Sequence, residues 1–217
     1  MKSGVTAMKK QKVSSAVIRR LPRYYRHLWD LEQAGVVRIS SSALGKSMGL
    51  TASQIRQDLS CFGEFGQQGY GYNVEKLRDE VADILGMNRN HAAVIMGAGN
   101  LGRALMENFR FEHSGFRLIA AFDVDPAVVG RELSGVPVYH ADRLEEYLAG
   151  HPANVGVLTV PRAAAESIAD RLVAAGVRGI WNFTNIELNI THPGVMVEDV
   201  HFADSLLTLS YMISEDA

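Results

Sequence analysis

Two groups of residues in this chain have the types and spacing to do chemistry. In the first, Gly97-Ala98-Gly99-Asn100-Leu101-Gly102 follows the apolar run Ala92-Ala93-Val94-Ile95-Met96. Asp123 closes a second apolar run, Leu118-Ile119-Ala120-Ala121-Phe122, 26 residues after Gly97. That spacing suits an adenine dinucleotide. Gly97 permits a tight turn, Gly99 lets a pyrophosphate approach the backbone, and Gly102 lets helix and strand pack closely. Ala98, Asn100 and Leu101 complete the loop, and the helix N-terminus it opens offers unpaired N–H groups to the phosphate charge. Asp123 can accept hydrogen bonds from ribose hydroxyls but repels a 2′-phosphate, so NAD(H) is expected over NADP(H). A third apolar run ends Leu158-Thr159-Val160-Pro161, where the nicotinamide half should lie, within reach of Thr159 or backbone carbonyls.

The second group lies upstream. A short helix over Ser42 to Met48, a turn at Gly49 and a further helix opening at Thr51 have the form of a helix-turn-helix. Thr51 and Gln54 have the spacing of a capping box, while Ile55 and Leu59 form an inward i,i+4 pair. Ser53, Gln54, Arg56, Gln57 and Ser60 are then expected mainly on the outer faces. Arg and Gln can address base edges and Ser can anchor phosphate. Lys46 and Tyr70 join them as candidate DNA contacts. Charge agrees: residues 1–80 hold 13 Lys and Arg against 7 Asp and Glu, a net +6, whereas residues 81–217 hold 9 against 17, a net -8. Only the first part suits a polyanion.

Other chemistries find little support. Hydride transfer to a substrate needs a pocket and an acid or base beside the nicotinamide. No second domain is expected after the nucleotide fold to make one, Asn182-Phe183-Thr184-Asn185 supplies polar contacts without an obvious proton donor near neutral pH, and His192 and His201 are the only late candidates, so no enzyme is expected. The 7 histidines are scattered singly and Cys61 is the only cysteine, which predicts neither a metal site nor an intrachain disulfide and fits a reducing cytoplasm. Met1 to Lys12 lacks an apolar core and no run approaches the length of a membrane span, so neither secretion nor membrane insertion is expected.

These residues require particular elements around them. Val17, Ile18, Leu21, Tyr24, Tyr25, Leu28 and Leu31 recur at helical steps over Ser14 to Gln33, and Pro22 is expected to divide that stretch into a short helix and a longer one. Val36 to Ile39 suggests a short extended segment. Phe62 to Tyr72, rich in Gly and aromatics, has the length and place of a wing. Val74 to Leu85 reads as a helix ended by Gly86, and Asn88-Arg89-Asn90 as a boundary. Beyond it, strands at 92–96, 118–122, 136–139, 155–160, 179–181 and 196–198 alternate with helices at 101–109, 144–149 and 163–174, the pattern of a parallel α/β Rossmann fold. Ala203 to Ile213 repeats Leu206, Leu209, Met212 and Ile213 after that fold is complete. Its apolar face requires another surface, in the same chain or in a second subunit.

Taken together, Leu21-Pro22-Arg23-Tyr24-Tyr25-Arg26, Ile55-Arg56-Gln57-Asp58-Leu59-Ser60, Gly69-Tyr70-Gly71-Tyr72-Asn73-Val74, the glycine fingerprint and Phe122-Asp123-Val124-Asp125-Pro126 resemble the Rex family of bacterial redox-sensing repressors across nearly the whole chain. The resemblance implies three parts: an N-terminal winged-helix DNA-binding domain over residues 1–86, a Rossmann NAD(H)-binding domain over 91–202, and a C-terminal helix, 203–217, exchanged between the subunits of a homodimer. It implies double-stranded operator DNA as partner and NADH and NAD+ as effectors, with repression when NADH is low and release when it rises. Phe202 occupies the place of the residue that reaches the nicotinamide pocket in family members. His201 stands where members carry an acidic residue, with Asp204 three positions on, and Asn108 where some carry a tyrosine.

Overall fold

The computed structural model describes residues 13–63, 65 and 70–215, in two compact units that divide between Asn88 and Arg89. In the first unit α1 (Ser15–Gln33) runs unbroken through Pro22, contrary to the expected division. The reason is tertiary. Leu21 before the proline, and Tyr24 and Leu28 after it, are buried in the same core. Burying each such side chain is worth about 2 kcal/mol, which together exceeds the cost of about 3 kcal/mol for an internal proline. Pro22 itself lies on the exposed side, where water can serve the unpaired carbonyl.

Next come β1 (Arg38–Ile39), α2 (Ser41–Met48) and α3 (Ala52–Ser60). Ser40 caps α2 by accepting from the Ala43 N–H at 3.0 Å, and Gly49 ends it in the left-handed conformation, φ 69°. Thr51 caps α3 by accepting from the Gln54 N–H at 3.1 Å. The reciprocal half of the capping box is not made, because the Gln54 amide is drawn to Asp58 instead. Leu44, Met48, Ile55 and Leu59 bury the helix pair against α1 and α4 (Val74–Leu85). In the expected wing, residues 64 and 66–69 lie outside the described residues. Its frame is clear: β1 pairs antiparallel with β2 (Tyr72–Asn73), Ile39 opposite Tyr72.

The second unit is a seven-stranded sheet. In chain order it comprises β3 (His91–Met96), α5 (Asn100–Asn108), β4 (Phe116–Asp123), β5 (Glu132–Leu133), β6 (Val136–His140), α6 (Leu144–Gly150), β7 (Val155–Leu158), α7 (Ala165–Ala174), β8 (Gly179–Asn182), β9 (Met196–Asp199) and α8 (Phe202–Glu215). The spatial order is β5-β6-β4-β3-β7-β8-β9, with every neighbouring pair parallel except β5 and β6. The chain winds outward from β3 to β6, then returns to the middle for β7. That reversal opens a crevice beyond the carboxyl ends of β3 and β7. Both faces are covered, so β3 is apolar from Ala92 to Met96: Val94 and Met96 pack into one cluster and Ile95 into the other. Strand β5 had no counterpart in the sequence reading. It is two residues long, too short for a periodicity, and is made by a tight turn in which Ser134 and Gly135 both take positive φ, 50° and 81°.

Among the described residues, no helix is long and apolar enough to cross a membrane. Helix α8 has no buried side chain among the described residues: Leu206, Leu207, Leu209, Tyr211, Met212 and Ile213 are each between 50 and 67% exposed.

The deepest polar group of the first unit is Asp58, fully buried on α3. Burial alone pushes its carboxyl pKa up, but hydrogen bonds from Arg20, Gln54 and Tyr24 outweigh that and hold it below the usual carboxylate range. A carboxylate depressed on folding contributes stability that is present above its unfolded value, about 3.9, and is lost as pH falls through the folded value. The stability gap between wild type and Asp58→Asn should therefore be wide at neutral pH and narrow on acidification through that window. Urea denaturation of both proteins across pH checks it, and a gap independent of pH would contradict it.

Candidate nucleotide site and nucleic-acid interface

The fingerprint loop is built by parallel strands that end side by side, Met96 opposite Leu158. Thr159, next after β7, donates its hydroxyl to the carbonyls of Met96 and Gly97 at 3.0 and 2.8 Å. A Cβ on Gly97 would sit 2.9 Å from the Thr159 carbonyl oxygen, and one on Gly102 would sit 2.0 Å from the Gly97 oxygen. Neither position has room for a side chain. Gly99 differs: nothing lies within 4 Å of its Cβ direction, which faces open space at the start of α5. The cradle thus leaves one approach free, above the N–H groups of Asn100 and Leu101 at the positive end of α5.

Asp123 ends β4 beside this loop. Its Oδ2 accepts from the Ala98 N–H and its Oδ1 from the Asp125 N–H at 2.9 Å. Arg103 donates from Nε to the Ala98 carbonyl at 3.0 Å, so the Ala98 peptide is gripped at both ends. The sequence reading overlooked Arg103, whose only signal was its place immediately after the fingerprint, one turn beyond Gly99. Gly97, Gly99, Asp123, Val124, Thr159 and Pro161 line a cavity of about 580 Å³. Thr159 thus lines this cavity while its hydroxyl proton is directed at the loop carbonyls. A more open hollow of about 770 Å³ lies against Arg162, Glu166, Asn185, Glu187 and His201, a mixed-charge wall. Asn108 spends its amide on the Ala104 carbonyl. Phe202 begins α8, 58% exposed, with its ring centroid 6.0 Å from that of buried Phe183.

In the first unit Ser53, Arg56, Gln57 and Ser60 are exposed together on α3. Arg56 reaches the Ser41 hydroxyl at 3.0 Å, and Ser60 donates to the Gln57 carbonyl. Lys46 is exposed on α2, and Tyr70 is 71% exposed beside β2. Gln54 departs from its expected outward placement: its amide donates to Asp58 at 2.8 Å. The buried Asp58 was not singled out in the sequence reading, although it is the only acidic side chain of α3 and sits between the inward positions Ile55 and Leu59.

Family models agree with this division. A CoA binding domain model matches residues 88–186, and a model for the N-terminus of DNA-binding proteins matches residues 12–60. The redox-sensing transcriptional repressor Rex of Thermoanaerobacter pseudethanolicus is 49% identical over 208 residues, covering 96% of this chain and 92% of its own. That of Clostridium beijerinckii is 47% identical over 207 residues, covering 95% and 98%.

The chain belongs to the Rex family of redox-sensing transcriptional repressors.

Among solved structures it is similar to RSP, a Rex-family repressor. RSP in complex with β-NAD+ and operator DNA superposes with a TM-score of 0.89 at 48% identity, over 95% of this chain and 94% of that one. RSP in complex with β-NADH gives 0.87 at 45% identity, over 95% and 96%. The winged helix-turn-helix and the Rossmann sheet of this chain are therefore those of a Rex protein.

The glycines divide sharply in what an added methyl would do. Gly102→Ala should lower the thermal midpoint of the Rossmann unit, since overpacking costs about 1–3 kcal/mol. Gly99→Ala should leave the midpoint unchanged, because its Cβ meets no protein atom. Calorimetry on the two variants checks this, and equal destabilisation would contradict the geometry.

Proposed function

We propose that this chain is a homodimeric repressor that binds operator DNA through its winged helix and reports the NADH/NAD+ ratio through its Rossmann domain. The observation that carries the reading is the coexistence in one chain of a glycine cradle closed by Asp123 and a polar recognition face on α3. RSP, crystallised with NAD+ and operator DNA and with NADH, supports it. The domain assignment follows: residues 1–86 bind DNA, 91–202 hold NAD(H), and 203–217 form the exchanged helix.

The cradle fits the ligand. Gly97, Ala98, Gly99, Asn100, Leu101 and Gly102 hold the pyrophosphate, Asp123 takes the ribose hydroxyls in place of backbone N–H groups, and Thr159 keeps the loop in shape. Bound NAD(H) supplies a ring whose charge differs between its two redox states. Phe202, at the root of α8, is the residue that senses it. Ser53, Arg56, Gln57 and Ser60 face the DNA, with Arg56 as the principal base or phosphate contact, and Lys46 and Tyr70 support them from the flanks. The apolar surface of α8 is buried by the second subunit. No catalytic acid or base is assigned, so the dinucleotide serves as an effector, and a cytoplasmic setting suits such a regulator.

A ligand shifts an equilibrium only through unequal affinity for the two states, so NADH must favour a dimer that engages the operator poorly, and operator DNA must weaken NADH binding by the same factor. Fluorescence anisotropy of an operator duplex titrated with NADH should show release, with NAD+ competing and NADPH ineffective. Phe202→Ala should reduce this coupling more than it reduces basal DNA affinity. Saturating NADH that releases no wild-type protein would refute the redox switch.

Removing α8 supplies a separate test. Deletion of residues 203–217 should convert the dimer to monomers or insoluble protein, read by light scattering. A soluble, unchanged dimer would show that this helix does not make the interface.

A further inference from the structure

Asp58 is a charged side chain with no solvent exposure, on a helix of nine residues, in the unit that reads DNA. Both carboxylate oxygens are fully used. Oδ2 accepts from Arg20 Nε at 2.7 Å and from the Tyr24 hydroxyl at 3.0 Å, and Oδ1 accepts from Arg20 Nη2 at 2.7 Å and from Gln54 Nε2 at 2.8 Å. Two of these donors belong to α1 and one to α3 itself. A buried carboxylate is expensive unless so satisfied, and a bidentate guanidinium fixes direction as well as distance. An apolar side chain would bury as well, but would not select one rotation of a short helix.

The rotation is what matters for recognition. At about 100° per residue, Gln54, Asp58, Ile55 and Leu59 share the inner half of α3. Ser53, Arg56, Gln57 and Ser60 fall on the outer half, within an arc of about 100°. Ile55 and Leu59 alone are two greasy points on a two-turn helix, and they tolerate roll. Asp58 removes that freedom. We infer that Asp58, gripped by Arg20 and Tyr24, is a positioning residue that sets the angular register of the recognition face, and that Gln54 belongs to this clamp and reads no base. The inference rests on the proposed DNA-reading role of α3.

The test uses full-length protein, a duplex selected by the wild type from a randomised library, and a scrambled duplex of equal composition and length. Asp58→Asn should weaken binding to the selected duplex by about tenfold or more while changing the scrambled duplex by no more than about twofold. Its affinity for NADH should match wild type. Equal loss on both duplexes would mean that Asp58 only keeps the unit folded, and would overturn the inference, as would no loss at all. Gln54→Ala, a surface-compatible change, decides the matter if Asp58→Asn does not fold. Measured against every single-base-pair variant of the selected site and against the scrambled duplex, it should lower affinity for the site and its variants without reordering them, while changing the scrambled duplex by no more than about twofold; an equal loss on the scrambled duplex would overturn the inference. Loss of preference confined to one base pair would assign Gln54 to direct readout instead. Wild-type protein that enriches no sequence from the library would defeat the DNA-reading role itself, an outcome separate from either variant's behaviour.

Discussion

The structure of the second unit depends on one steric constraint: three backbone segments meet where β3, β7 and α5 converge, and no side chain fits between them. The Gly97 carbonyl lies where a Cβ on Gly102 would stand, and the Thr159 carbonyl where one on Gly97 would stand. Close approach there lets α5 begin directly above the end of β3, so that its free N–H groups point into the crevice at the sheet's switch point. The Thr159 hydroxyl holds the same point from the neighbouring strand. Without that convergence Asp123 would end a strand with nothing beside it to recognise.

A polar constraint plays the corresponding part in the first unit. A nine-residue helix cannot hold its orientation through propensity, since helices of that length are marginal by themselves. Packing of Ile55 and Leu59 supplies adhesion, and the four hydrogen bonds on Asp58 supply direction. The same carboxylate takes the Gln54 amide, so a side chain of suitable chemistry for reading bases is spent on holding the helix.

Helix α8 shows the opposite situation. A run of large apolar side chains in a regular helix finds no cover in its own chain. An isolated helix with that surface is not an expected end state in water, because exposed contiguous apolar area is unfavourable and marks an interaction surface. It is on this surface that the proposed second subunit would pack, and the root of the helix, at Phe202 against Phe183, ties it to the Rossmann unit.

By itself the sequence determined what depends on neighbours in the chain. Strands and helices of the Rossmann unit followed from apolar runs and periodicity. The glycine turn followed from glycine spacing, and the place of Asp123 beside it from its position at the end of the next strand. Caps at Thr51, Gly49 and Gly86 were equally local. Tertiary structure alone decided the rest. It carried α1 through Pro22, because residues on both sides of the proline share one core. It turned Gln54 inward and committed the Thr159 hydroxyl to Gly97. The deciding partners are Arg20 and Asp58, 38 residues apart, and Thr159 and Gly97, 62 residues apart. A pattern of period 3.6 or 2 states which face of an element is buried, but it carries no information about which distant donor will be waiting there.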